Sequence, residues 1–281
     1  MAENEEPILV VLHAGKGFVW DADDWLKLRR NHRIVGTLVG CLANIPRQDA
    51  VNGMPMVLLP EELTLILGKN IGVLMKLADP LESVSEAIKE EYNTYQERVQ
   101  KEQIEVYEEK RKAEVRGMID RIVEGKKRKM ARGMKTDPID EESIYETEMA
   151  RVKNIEMGVF VQIPTTNPWL KEEQLVPGEW PYPKTPLDTL KCRVFEDLWE
   201  RGMYLTNGSK FGGHFLAYPG EPLKFHAFYI VLVCLPDQPI SPMDIVRHAR
   251  LGTHTKKSFV IATTNSENII KYNSFEWTGK T

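Results

Sequence analysis

The chain has 281 residues, of which 42% are hydrophobic and 28% charged, and its formal net charge is −4. That balance suits a globular protein with a sizeable core and excludes one that grips nucleic acid through overall charge, so any basic surface has to be local. Cys41, Cys192 and Cys234 stand far apart in apolar surroundings and fit neither a zinc spacing nor a disulfide framework, which points to a reducing, intracellular compartment.

The opening MAENEEP is acidic, unlike a signal or transit peptide, and no apolar run approaches the length of a membrane span. ILVVLH (Ile8–His13) reads as an apolar strand, with residues 18–20 as its hairpin partner across Gly15-Lys16-Gly17. Asp21 has the chemistry of an N-cap for a helix through Trp25 and Leu28. Residues 35–42 and 56–59 read as further strands. Pro60-Glu61-Glu62, a proline and two acids in a first turn, opens a helix through Leu67. Residues 1–80 are thus expected to form a small mixed α/β domain.

From Leu81 the chain becomes dense in Glu, Lys and Arg. Val84, Ile88, Tyr92, Tyr95 and Val99 trace a narrow apolar stripe at helical spacing, so residues 81–158 read as a long, mostly solvated helical arm or linker. Lys126-Lys127-Arg128-Lys129 is a short basic run compatible with nuclear import or phosphate contact. Residues 136–148 are acidic and proline-broken, as in a joint.

Residues 159–281 read as a second domain. Pro164, Pro168, Pro177, Pro181, Pro183 and Pro186 punctuate a connector in which Trp169 and Trp180 pack on a surface. Leu187, Leu190, Val194, Phe195, Leu198 and Trp199 share one helix face, closed by Gly202. Strands are expected at 203–205, 215–218, 226–235, 258–263 and 269–277, with one helix, 242–251, between them. The whole is of the α+β class: a mixed N-terminal domain, a charged helical linker and a C-terminal domain with a mainly antiparallel sheet.

Within this last domain Tyr218 ends one strand and His226 opens the next across PGEPLKF, while Lys257 lies in ARLGTHTKKSFVIA where helix gives way to strand. These are the residue types that metal-free RNA cleavage requires. A base takes the 2′-OH proton, an acid protonates the departing 5′ oxygen, and a cation stabilises the phosphorane. Histidine near its ordinary pKa of about 6.5 suits the acid, and a tyrosine near about 10 acts as a base only beside a cation. Spacing alone does not separate this set from its neighbours: Tyr204 with His214 forms a rival pair, His254 stands close to Lys257, and strand alternation would point Lys256 and Lys257 to opposite faces. Lys210 could approach RNA, and Gly212 and Gly213 would permit a tight backbone.

The run GMYLTNGSKFGGHFLAYPGEPLKFHAFYIVLV, followed by ARLGTHTKKSFVIA and YNSFEW, resembles the C-terminal nuclease domain of the tRNA-splicing endonuclease family. SKFGG…FLAYPGEPLKFHA and RLGT…KK look most like the eukaryotic catalytic subunit that cuts the 3′ splice site. The N-terminal unit is similar more loosely, through VWDADDWLKLR, RIVGTL and GMPMVLLPEE. The resemblance implies Tyr218 as general base, His226 as general acid and Lys257 as phosphate stabiliser. It further implies that Arg250 and Trp277 sandwich a nucleotide by cation–π stacking, serving the active site of a sibling subunit. No cofactor and no metal are implied. The products would be a 2′,3′-cyclic phosphate and a 5′-hydroxyl. The implied partners are precursor tRNA, the sibling catalytic subunit and two structural subunits, in the nucleus. His214 departs from the family's KFG-x-D-F pattern, which has an acid there, and reads as a local loop substitution. A structural subunit of the same enzyme would have lost the triad, whereas all three residues are present. A plain RNA-binding module would spread aromatic and basic residues over one sheet, whereas here they gather at strand ends.

Overall fold

The computed structural model describes residues 7–40, 52–78, 85–132, 142, 145–146, 150 and 174–279. The chain divides into two compact units: one unites the first sheet with the C-terminal domain, and the other is built around the long charged helix.

In the first unit, β1 (Ile8–His13) buries Ile8, Val10 and Val11 and turns into β2 (Lys16–Val19) through Ala14 and Gly15, both at positive φ (47° and 73°). Two such residues give the tight reversal whose twist matches an antiparallel hairpin. The Asp21 carboxylate accepts from the Asp24 backbone N–H at 2.9 Å and so starts α1 (Ala22–Asn31). With β3 (Thr37–Gly40), β4 (Gly53–Val57), β5 (Gly72–Leu77) and β6 (Leu175–Pro177), the sheet runs in the order β3-β4-β2-β1-β5-β6. α2 (Pro60–Gly68) packs on it with Leu63 and Ile66 fully buried.

β6 comes from the proline-rich connector, which supplies the edge of the first sheet by pairing Val176 with Lys76. Beyond it, Trp180 Nε1 donates to Thr64 Oγ1 at 2.9 Å and the Tyr182 hydroxyl donates to Glu61 at 2.6 Å. Trp169 and the expected joint at 136–148 fall outside the described residues, apart from isolated helical positions in the latter.

The second unit contains α3 (Glu86–Ala131), which starts at a Ser85 cap and spans about 69 Å at about 1.5 Å per residue. Over residues 86–100, Ile88, Tyr92, Tyr95 and Val99 are the half-buried positions among exposed neighbours, the stripe expected from spacing; Val84 lies outside the described residues. No helix among the described residues is long and apolar enough to cross a membrane.

The C-terminal domain begins with α4 (Pro186–Glu200), started by a reciprocal cap in which Thr185 and Asp188 each bond the other's backbone N–H at 3.1 Å. Gly202, at φ 85°, ends it. The sheet has the order β11-β10-β9-β8-β7, from β7 (Tyr204–Asn207), β8 (Phe215–Tyr218), β9 (Tyr229–Val233), β10 (Ser258–Thr264) and β11 (Ile270–Phe275). Neighbours are antiparallel except β9 and β10, which are parallel and joined through α5 (Pro242–His254).

Alternation sorts the strand residues onto two faces. Phe215, Ala217, Val231 and Val233 join α4 in a core that continues into the first sheet, with Phe195 edge-on to Phe215 at 5.4 Å. Leu216, Ile230, Phe259 and Ile261 form a second cluster that includes Ile245 of α5, and His248 of α5 stacks on Phe259 at 4.7 Å.

Two boundaries differ from the sequence expectation in ways that matter to the site. His226 does not open a strand: β9 starts at Tyr229, and His226 lies in the preceding loop. There the Glu221 carbonyl accepts from the N–H groups of Lys224 (2.8 Å) and Phe225 (3.0 Å), winding a turn that delays the ladder until Phe228 N–H reaches Ala217 O at 2.9 Å. α5 runs to His254 rather than 251, so His254 is helical as well as Arg250. It stops at Lys256, whose φ is 55°.

Candidate active site

The site lies where β8 ends and β9 and β10 begin. Ala217 pairs with Tyr229, and Tyr229 with Ser258, so one rung crosses three strands. The next step outward carries Tyr218, Phe228 and Lys257, and Ser258 N–H to Phe228 O at 2.9 Å holds the last two strands together there. Tyr218 and Lys257 therefore flank Phe228 with backbones about 10 Å apart, two strand spacings of roughly 4.8 Å.

Their side chains turn to the same side. Tyr218 and Phe211 both pack on the cluster of Leu216, Ala227, Ile230 and Phe259, and the Lys257 ammonium sits 4.9 Å from the centre of the Phe211 ring. Lys257 Nζ also donates to the Thr255 carbonyl at 2.9 Å, and the Thr206 hydroxyl donates to the Tyr218 phenol oxygen at 3.3 Å. Ala227 is buried in that same cluster, which tethers the adjoining His226 to this end of the sheet while its imidazole stays exposed. Among the described residues that ring has no hydrogen-bond partner, so loop backbone alone places it.

Glycines let the neighbouring SKFGG turn close over the site. Gly212 adopts φ 72°, and a Cβ on Gly213 would come within 2.7 Å of Ile230 Cγ2 and 2.9 Å of the Val231 carbonyl.

Arg250 and Trp277 meet as well. The guanidinium lies 4.3 Å from the indole centre, and the Trp277 backbone N–H donates to Thr253 Oγ1 at 3.4 Å. At the start of β10 opens a hollow of about 400 Å³, lined by Phe228, Lys257, Ser258, Glu276 and Trp277 among others; Tyr218, His226 and Arg250 are not part of its lining.

The rival residues have other occupations. His214 lies in the loop just before β8, as expected, and its Nδ1 accepts from the Val233 N–H at 2.9 Å, linking that loop to β9. Burial first, then the nearby Lys191 charge, push its pKa below the ordinary imidazole value. Tyr204 is the β7 partner of Tyr218. Lys256 is an exposed turn residue, so strand alternation does not govern it. His254 is the exposed last residue of α5, and Lys210 is exposed in the short turn of Ser209–Phe211.

Two contributors went unread in the sequence. Phe211, within the quoted SKFGG, supplies the face on which Lys257 rests. Arg29 of α1 donates from Nε (3.0 Å) and Nη2 (2.5 Å) to Glu221 Oε1, in the His226 loop. A contact across 192 positions leaves no local signal.

Residues 8–77 match the family model of the TSEN34-like, N-terminal domain, and residues 189–272 that of the tRNA intron endonuclease, catalytic C-terminal domain. The α4-to-β11 unit is therefore similar to the catalytic domain of tRNA intron endonucleases, and it follows a region similar to the TSEN34-like N-terminal domain. Over 96% of its length the chain is 28% identical to the tRNA-splicing endonuclease subunit Sen34 of Homo sapiens, covering 98% of that protein. It is likewise 28% identical to the probable tRNA-splicing endonuclease subunit sen34 of Schizosaccharomyces pombe, over 99% of both chains. Its C-terminal part is 37% identical over 86 residues to the tRNA-splicing endonuclease of Methanopyrus kandleri, 30% of this chain and 48% of that one.

Proposed function

We propose that the chain is a catalytic subunit of a nuclear, multi-subunit tRNA-splicing endonuclease and cuts intron-containing precursor tRNA at the 3′ splice site. It works beside a sibling catalytic subunit and two structural subunits. The observation that carries this reading is the convergence of Tyr218, Lys257 and the His226 loop at one end of one sheet, on the face shared with Phe211.

In the reaction the ribose 2′-OH attacks the adjacent phosphorus. Tyr218 takes the 2′ proton, Lys257 stabilises the negative charge that builds on the non-bridging oxygens, and His226 gives a proton to the departing 5′ oxygen. The products are a 2′,3′-cyclic phosphate and a 5′-hydroxyl. The three side chains account for both proton transfers and the charge, so no metal enters the scheme. The 400 Å³ hollow beside Lys257 suits a nucleotide held out of helical stacking, as in-line attack demands. Arg250 and Trp277, already stacked, form a cation–π platform on which a flanking base of the sibling's substrate strand inserts.

The test is reconstitution with the partner subunits, scoring each splice site separately in the presence of chelator. His226→Ala is expected to abolish the 3′ cut while assembly, tRNA binding and the 5′ cut persist. Retention of the 3′ cut, or its dependence on added metal, would refute the assignment.

A further inference from the structure

We propose that Arg29, in the N-terminal domain, is a positioning residue for the general acid His226 and acts through Glu221; this rests on the catalytic reading above. The His226 imidazole is exposed and has no hydrogen-bond partner among the described residues, so its aim is that of its backbone. That backbone is organised around Glu221. The Glu221 carbonyl accepts from Lys224 and from Phe225, the residue immediately before His226, and Glu221 Oε1 accepts from the Leu223 N–H at 3.4 Å. The same oxygen receives both Arg29 donors, at 3.0 and 2.5 Å.

The Arg29 and Glu221 side chains are only 13% and 24% exposed, and Arg29 also lies 5.7 Å from the centre of the Trp25 ring. A half-desolvated, charge-assisted bond between one oxygen and a guanidinium fork is stronger and more directional than an exposed ion pair. On the other side of the loop, the buried Ala227 and the backbone bonds of Phe228 to Ala217 and Ser258 tie it to the catalytic sheet. The loop that carries the acid is thus pinned from two sides, and one of the pins belongs to the TSEN34-like domain. That gives the N-terminal domain a part in the chemistry of the C-terminal one.

The experiment is a double-mutant cycle in the reconstituted endonuclease, with Arg29→Ala, Glu221→Ala and the double variant compared under single-turnover conditions, each splice site scored separately. A loose acid costs rate, not binding. Each single variant should slow the 3′ cut about ten-fold with KM changed less than about two-fold, and the double variant should be no slower than the singles. The exchange Arg29→Glu with Glu221→Arg should restore part of the rate. Lys69→Ala, which removes the separate ion pairs from Lys69 to Glu196 and Glu200 of α4, controls for general loosening between the domains and should leave the 3′ rate near wild type. Wild-type rates in the singles, losses that multiply in the double, or an equal loss in Lys69→Ala would overturn the proposal. If His226→Ala in the same assembly spares the 3′ cut, it is the catalytic reading that fails, so the two failures are distinguishable.

Discussion

Glu62 lies at the start of α2 with 1% of its surface exposed. Its carboxyl accepts backbone N–H groups from Val35 (3.2 Å), Gly36 (2.9 Å) and Leu59 (2.8 Å), which ties β3's approach to the helix. Burial nevertheless outweighs those bonds and raises its pKa to about 7, from 4.5 in an exposed chain. The folded state then holds a proton that the unfolded state releases, so stability falls as pH rises from about 4.5 to about 7. The loss is of the order of 3 kcal/mol above that window. Urea midpoints measured across pH 5 to 8 should drop with pH in the wild type and stay nearly flat in Glu62→Gln. Equal slopes in the two would contradict the assignment. At Trp277 the expected effect is kinetic. Trp277→Ala removes the stack 4.3 Å from Arg250 and should slow the 5′ cut of the assembled enzyme at least ten-fold, with the 3′ cut retained. Loss of the 3′ cut alone would place the pair in its own subunit's site instead.

At the scale of elements, α4 bears the main load in the C-terminal domain. Phe195 is 1% exposed and meets Phe215 edge-on, in the core that runs on into the first sheet. Phe195→Ala should cost about 3–5 kcal/mol in equilibrium unfolding, and a cost under about 1 kcal/mol would show that the core re-forms around the gap. Elements like α4 were legible in the sequence because Leu190, Val194, Phe195 and Leu198 repeat at helical spacing and Gly202 marks the stop. The stripe on α3 was legible for the same reason. β6 was not: three residues ending in proline have no period, and only their pairing with β5 makes them a strand. The start of β9 was misread because FHAFYIVLV is apolar throughout. Alternation cannot show where a ladder begins when a turn around Glu221 occupies the first residues. The loop position of His214 was legible, but its bond to the Val233 N–H was not, since a long-range contact has no counterpart in local pattern.

For the whole molecule, the motifs of the nuclease end singled out Tyr218, His226 and Lys257 as candidates, but nothing in them connected that end to the first eighty residues. The structure makes this connection through one continuous core, through β6, and through Arg29 reaching Glu221. Long-range ion pairs of this sort depend on the finished fold and are invisible to spacing. Their consequence is that the TSEN34-like domain should not be separable from cleavage. The central claim, that a phenol, an imidazole and an ammonium group serve one phosphodiester, is tested most directly by a structure of the assembled endonuclease on precursor tRNA carrying a 2′-deoxy nucleotide at the 3′ splice site. The account predicts the Tyr218 hydroxyl beside the missing 2′ position, with His226 and Lys257 within about 3.2 Å of the leaving and non-bridging oxygens of that phosphate. A scissile phosphate engaged by other side chains, with these three turned away from it, would contradict it.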